Sequence, residues 1–157
     1  LKIIVHKLFG TVSDKKIAIL GFSFKANTND TRESPAIKIC NGLLEEGASL
    51  QIYDPQVGEI QIKKDLGEKS NNCESKNYAG NWEIAKSIHL AAEGTDAIII
   101  ITEWDEFKNL DWCKISKLMR SPAWIFDTRS ISNLDQANAY GLNIWRIGTD
   151  STLLNNF

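Results

Sequence analysis

The 157-residue sequence carries almost no excess of charge: 18 lysines and arginines face 20 aspartates and glutamates, a formal net charge of −2. No global field of either sign draws nucleic acid or an anionic membrane to such a chain, so any anion site in it must be local. Long hydrophobic runs are missing too. The longest, Ala97-Ile98-Ile99-Ile100-Ile101, falls far short of the ~20 residues of a membrane-spanning helix. Leu1 to Phe9 has no arginine-rich start and no cleavage site, so no secretory signal is visible. Cysteine is scarce and odd in number. Cys40, Cys73 and Cys113 match no zinc-ligand or C-x-x-C spacing, which favours free, reduced thiols in a cytoplasmic protein over a disulfide framework. No Met opens the chain, and the apolar pattern already runs at Leu1; both predict a piece cut from a longer polypeptide.

What is present is an ordinary globular balance, 43% hydrophobic and 24% charged residues, in a length that suits one domain with one real core. Helix and strand signals alternate along it. Residues 1–9 read as the tail of a helix, with Ile4, Val5 and Leu8 inward and Lys2 and Lys7 outside. Ile17 to Leu20 is a continuous apolar run ending at Gly21, as in a strand buried on both faces. Ser34-Pro35 opens a helix with apolar positions at Ala36, Ile37, Cys40, Leu43 and Leu44, and Gly47 ends it. Leu50 to Tyr53 is a second strand, stopped by Asp54-Pro55. Residues 56–81 read as a surface excursion in which only Ile60-Gln61-Ile62 alternates. A short edge strand (Trp82 to Ala85), a short helix capped by Ser87, and the strand Ala97 to Ile101 follow. A helix from Phe107 to Met119, buried through Leu110, Ile115 and Leu118, is broken by Pro122. The strand Ala123 to Phe126, a short helix from Asn133 to Tyr140 and a last strand, Asn143 to Ile147, complete the pattern. Such alternation predicts an α/β fold: a doubly wound, mainly parallel, Rossmann-like sheet with helices on both faces.

Ligands of these sheets bind beyond the carboxyl ends of the strands, here Gly21 to Lys25, Asp54, Thr102 to Trp104 and Asp127 to Arg129. Gly21-Phe22-Ser23-Phe24-Lys25 holds one glycine where a dinucleotide fingerprint needs three. Asp54, placed as a ribose-binding acid would be, lies 33 positions past Gly21, against the roughly 20 of that pattern. A complete dinucleotide site is therefore not expected. Phe24 can lie on a base or sugar and Lys25 can reach a diphosphate oxygen; equally, Phe24 can be core and Lys25 a solvated charge. Arg32 is either a ligand residue or the partner of Asp30 or Glu33. Arg129 can fork onto a phosphate or sugar hydroxyls or form a structural ion pair, with Asp127 placed to hold it or Lys25. A receiver-type signalling domain fits Asp54 at a strand end, but the chain lacks the paired acids of a magnesium site near the first strand.

The order of these segments is more specific than any one of them. Asp14 to Lys25, then Asn29-Asp30-Thr31-Arg32-Glu33-Ser34, Ile52-Tyr53-Asp54-Pro55, Thr102-Glu103-Trp104-Asp105-Glu106-Phe107 and Ile125-Phe126-Asp127-Thr128-Arg129 together closely resemble the UDP-glucose 6-dehydrogenase family over most of residues 9–148. The resemblance implies that residues 13–150 are a C-terminal UDP-sugar-binding domain, that 1–12 end a helix leading out of a central domain, and that 151–157 are a tail. It implies that Phe24, Lys25 and Arg129 contact the UDP-sugar and that Arg32 reaches NAD held by an N-terminal domain. One departure is Thr128, where the family usually has Gly.

The family oxidises the C6 alcohol of UDP-glucose to the carboxylate with two NAD, through a cysteine in the central domain. None of the three cysteines here aligns with that nucleophile, and His6 and His89 read as surface or packing residues. The expectation is thus a fragment inactive alone, with no catalytic or metal-binding residue of its own. Its expected partners are UDP-glucose and the other two domains, in an intact cytoplasmic homo-oligomer. A non-catalytic nucleotide-binding module, or a relative acting on UDP-N-acetylsugars or GDP-mannose, stands as the alternative.

Overall fold

The computed structural model describes residues 1–68 and 79–148. Six strands form one sheet: β1 (Lys16–Leu20), β2 (Ser49–Tyr53), β3 (Asn81–Ile84), β4 (Ala97–Ile100), β5 (Trp124–Asp127) and β6 (Asn143–Arg146). Every pairing is parallel, in the order β3-β2-β1-β4-β5-β6. This is the doubly wound Rossmann-like arrangement, and the strand order reverses between β1 and β4. There Ile19 lies opposite Ile52 on one side and Ile99 on the other.

Strand periodicity divides the apolar residues between two cores, as a sheet covered on both faces requires. Ile17, Ile19, Leu50, Ile52, Ile99 and Phe126 face helices α1 (Lys2–Lys7), α2 (Pro35–Glu45) and α3 (Glu59–Leu66), which supply Ile4, Cys40, Leu43, Leu44, Ile62 and Leu66. Ala18, Leu20, Ile98, Ile100 and Ile125 face α4 (Ile88–Ala92), α5 (Trp112–Leu118) and α6 (Leu134–Ala139), with Ala91, Ala92, Trp112, Ile115 and Ala137. Each fully buried branched side chain contributes roughly 1.5–3 kcal/mol, so the four apolar residues of β4, all fully buried, anchor the sheet from both sides. Ser34 caps α2, its Oγ accepting from the Ala36 N–H at 3.2 Å; Ser87 and Asn133 cap α4 and α6 in the same way.

Three expectations need correction. Within the supposed excursion 56–81, Glu59–Leu66 is a helix. Alternation would put Ile60 and Ile62 on one face, but two helical steps turn the chain by about 200°, leaving Ile60 88% exposed and Ile62 fully buried. The remainder of that excursion, with Cys73, lies largely outside the described residues. The helix expected from Phe107 to Met119 is two pieces, a 3-10 turn over Asp105–Phe107 and α5. Asp111 starts the second piece by accepting from the Lys114 N–H at 3.0 Å, and Trp112 and Met119 are buried while Leu118 is half-buried. Finally, Lys7 does not simply face solvent: its ammonium lies 5.5 Å from the centre of the Trp124 ring.

Candidate functional site at the carboxyl edge of the sheet

The exit of β1 is built around a close crossing. Gly21 has φ +93°, and a Cβ placed on it would lie 2.4 Å from the Thr102 Cβ at the end of β4. Only glycine lets the two strand exits touch. Thr102 is fully buried, and its hydroxyl donates to the Ser23 carbonyl at 2.8 Å. The loop then closes on itself: the Ser23 hydroxyl donates to the Lys25 carbonyl at 2.9 Å, and the Phe24 N–H to the Asp30 carbonyl at 2.8 Å. Phe22 is the aromatic that enters the core, whereas Phe24 is 47% exposed and Lys25 is exposed beside it. Among the described residues the Lys25 ammonium has no hydrogen bond or ion pair.

Asp54, at the end of β2, organises this loop. Its Oδ2 accepts from the N–H groups of Phe22 (2.7 Å) and Ser23 (3.0 Å) and from the Trp104 indole (3.2 Å). Its Oδ1 accepts from the N–H groups of Gln56 (2.9 Å) and Val57 (3.0 Å). Five donors therefore converge on one carboxylate, joining the exits of β1, β2 and β4.

At the exit of β5, Asp127 is fully buried. It accepts from the Arg129 N–H (3.0 Å) and the Ser132 N–H (2.8 Å), and its charge is answered by Arg146 Nη2 of β6 at 3.4 Å. Arg146 also donates to the Ser132 carbonyl. Asp127 thus holds the backbone of Arg129 but pairs neither its guanidinium nor Lys25. The Arg129 side chain turns instead toward β4, where Nε donates to the Ile101 carbonyl at 2.6 Å and lies 3.2 Å from Glu103 Oε2. Thr128 has no left-handed φ; its hydroxyl donates to the Ile100 carbonyl at 2.7 Å, so the β5 exit accommodates a side chain there.

Lys25 and Arg129 are consequently joined through the β4 exit: Arg129 bonds to Ile101, Thr102 to Ser23, and Ser23 to Lys25. Arg32 is paired with Asp30, whose carbonyl accepts from the Phe24 N–H and whose carboxyl feels the Lys25 charge. Its Nε and Nη2 grip Asp30, the closest approach being 2.7 Å, and its side chain is 87% exposed. The Asp30 carboxyl is held down at about 2, chiefly by hydrogen bonds from the Arg32 side chain and backbone. Cys40 is fully buried, which raises its thiol well above the ordinary range and makes it a packing residue.

Residues 18–134 match the family model described as UDP-glucose/GDP-mannose dehydrogenase family, UDP binding domain. The chain belongs to that family. It is 43% identical over 153 residues to UDP-glucose 6-dehydrogenase 4 of Arabidopsis thaliana, covering 92% of this chain and 32% of that protein. To UDP-glucose 6-dehydrogenase of Drosophila melanogaster it is 46% identical over 145 residues, covering 92% and 30%. The chain therefore spans about a third of the length of the curated relatives it matches. Among solved structures, a UDP-D-ManNAc dehydrogenase from Pyrococcus horikoshii aligns with TM-score 0.67 at 29% identity, covering 92% of this chain and 28% of that one. An NDP-N-acetyl-D-galactosaminuronic acid dehydrogenase from Methanosarcina mazei Go1 shares the fold, with TM-score 0.75, 19% identity and coverage of 99% and 29%.

This UDP-binding domain does not fit a dinucleotide of its own. In a glycine fingerprint the N–H groups leaving the first strand face a pyrophosphate; here Phe22 and Ser23 give theirs to Asp54. Gly21 serves contact with Thr102, and α2 begins only at Pro35. The sequence pattern placed Asp54 among candidate ribose ligands and gave no sign of this role. Glu103 and Trp104 were read as part of a strand end and a motif but not for their contacts, because their partners are distant in the chain. Among the described residues no His, Cys, Asp and Glu cluster forms a metal site, and no helix is long and apolar enough to cross a membrane.

Proposed function

We propose that this chain is the substrate-gripping domain of a cytoplasmic, NAD-dependent, homo-oligomeric UDP-glucose 6-dehydrogenase. The complete enzyme oxidises UDP-glucose to UDP-glucuronate, consuming two NAD and one water. The nucleophile and the dinucleotide fingerprint belong to the enzyme's other domains. Phe24 lies along the nucleotide–sugar portion, and Lys25 and Arg129 meet the diphosphate and sugar oxygens. Arg32 reaches across to NAD. Gripping the nucleotide end uses binding energy remote from C6 to hold that carbon where hydride leaves.

The observation that carries this reading is the linkage of Lys25 and Arg129 across the switch point between β1 and β4, the place where open α/β sheets bind ligands. Among the described residues, an ammonium without a hydrogen bond or ion pair stands on one side of it, and on the other a guanidinium held through Nε. UDP-glucose is favoured by identities of 43% and 46% to UDP-glucose 6-dehydrogenases. The test is calorimetric titration of the full-length protein with UDP-glucose, UDP-N-acetylglucosamine and GDP-mannose in the presence of NAD. Tightest binding of UDP-glucose supports the proposal; preference for either other sugar nucleotide overturns the substrate, and binding of none overturns the site.

A further inference from the structure

Asp54 touches none of the groups assigned to the ligand, yet it accepts from both residues that precede Phe24. The two N–H groups at the β1 exit point at Oδ2 from one side, and the Trp104 indole approaches the same oxygen from the β4 exit. The other oxygen is taken by Gln56 and Val57, which fixes the carboxylate in two directions. A negative charge that accepts from five N–H groups has little freedom to turn, and hydrogen bonds to a charged acceptor are stronger than neutral ones. The loop from Phe22 to Lys25 is thus held to β2 and β4 by one anion built into the chain.

We propose that Asp54 is a positioning residue for the UDP-sugar site. Its carboxylate sets the loop that presents Phe24 and Lys25 beside the β4 exit to which Arg129 is bonded. By occupying the Phe22 and Ser23 N–H groups, it also leaves anion recognition at this edge to side chains. The inference rests on the assignment of Lys25 to the ligand and adds a residue that makes no contact with it.

The experiment is a double-mutant cycle in the full-length protein, combining Asp54→Asn with Lys25→Ala and titrating UDP as the probe. Asn keeps the size but turns an amide donor toward groups that are themselves donors. Asp54→Asn is expected to weaken UDP binding about 10-fold or more, raising KM for UDP-glucose with kcat changed less than about threefold, because binding rather than chemistry is lost. In the Lys25→Ala background the same change costs no more than about twofold, since the two residues act as one unit.

Losses that multiply independently overturn the proposal, as does an Asp54→Asn protein with unchanged UDP affinity while Lys25→Ala has lost it. If Lys25→Ala itself leaves UDP binding intact, the site assignment falls and this inference with it. Should Asp54→Asn not fold, Trp104→Phe removes one donor to Oδ2 and keeps the aromatic bulk. A weakening of UDP binding by about threefold or more that vanishes in the Lys25→Ala background supports the proposal. No weakening overturns it.

Discussion

Arg129 and Ile101 are joined by a 2.6 Å hydrogen bond from the guanidinium Nε to the main-chain carbonyl, across the exits of neighbouring strands β5 and β4. The bond uses Nε as an anchor, and in the proposed site the Nη groups, which make no hydrogen bond among the described residues, meet the ligand. A lysine has one nitrogen centre and cannot do both. Arg129→Lys is therefore expected to weaken UDP binding about 10-fold or more, nearly as much as Arg129→Ala, since a charged hydrogen bond is worth about 1.5–3 kcal/mol. Calorimetry with UDP checks this, and a lysine variant that binds like the native protein rules out the division.

Lys25 offers a simpler contrast. Its ammonium makes no hydrogen bond or ion pair among the described residues, and its charge acts only as a minor influence on Asp30. Lys25→Ala is expected to weaken UDP-glucose binding about 10-fold or more while the melting temperature stays within about 2 °C of native, as for surface substitutions generally. A stable protein with unchanged affinity removes Lys25 from the site.

These residues were legible to different degrees, for physical reasons. The strands were readable because a sheet buried on both faces demands unbroken apolar runs, and Ile17 to Leu20 and Ala97 to Ile100 are such runs. Helix α3 was not readable, because eight residues with two buried positions, Ile62 and Leu66, carry too little periodicity to outweigh neighbouring Gly and Asn. The break before α5 did have a signal in Asp111, a capping residue that an apolar reading of Leu110 concealed. Phe24, Lys25 and Arg129 became candidates through the order of motifs rather than through their own chemistry. Asp54 was visible as an acid at a strand end, but which donors would reach it depends on the β1 and β4 exits meeting there, a tertiary fact.

The Arg32–Asp30 pair predicts a measurable titration. The Asp30 carboxyl stands at about 2 rather than 3.8. A depressed carboxylate pKa means the pair's stabilisation is present above the unfolded value and is lost as pH falls from about 4 through 2. The pair is therefore intact at neutral pH. In carbon-detected NMR the Asp30 carboxyl should titrate near 2 in the native protein and move up toward 3.8 in Arg32→Ala. If Arg32 also reaches NAD, that variant raises the KM for NAD more than the KM for UDP-glucose. Equal rises in both cancel the NAD role and leave only the ion pair.

Gly21 tests the crossing of the strand exits. Gly21→Ala forces a side chain into φ +93° and sets its Cβ 2.4 Å from the Thr102 Cβ, so both strain and overlap act. Overpacking costs typically 1–3 kcal/mol and the backbone strain a further 1–2 kcal/mol or so. The melting temperature of the variant should fall by about 4–20 °C for a domain of this size. Thr102→Ala removes the hydroxyl that holds Ser23 but keeps the Cβ and backbone N that the new methyl overlaps, so in combination with Gly21→Ala it should recover little of the loss. A variant that melts with the native protein dismisses the close approach.

Tyr53 gives a last test, on the other side of β2 from the core that holds Leu50 and Ile52. Its hydroxyl donates to both oxygens of Glu106, at 3.2 and 3.1 Å, and its ring meets Phe107 edge-on with centroids 6.1 Å apart. Burial is the main cause that pushes the phenol up to about 12, and the charges of Glu106 and Asp54 add to it. Because the folded pKa is raised, Tyr53 stabilises the fold below the unfolded value of about 10, and that contribution is lost as pH rises through 12. In a ring-labelled NMR titration the Tyr53 phenol should thus ionise near 12. Glu106→Gln removes the charge but not the burial, so the Tyr53 midpoint should drop below its native value yet stay above about 10. A full return to the free-tyrosine value would instead make Glu106 the whole cause and displace burial as the dominant effect.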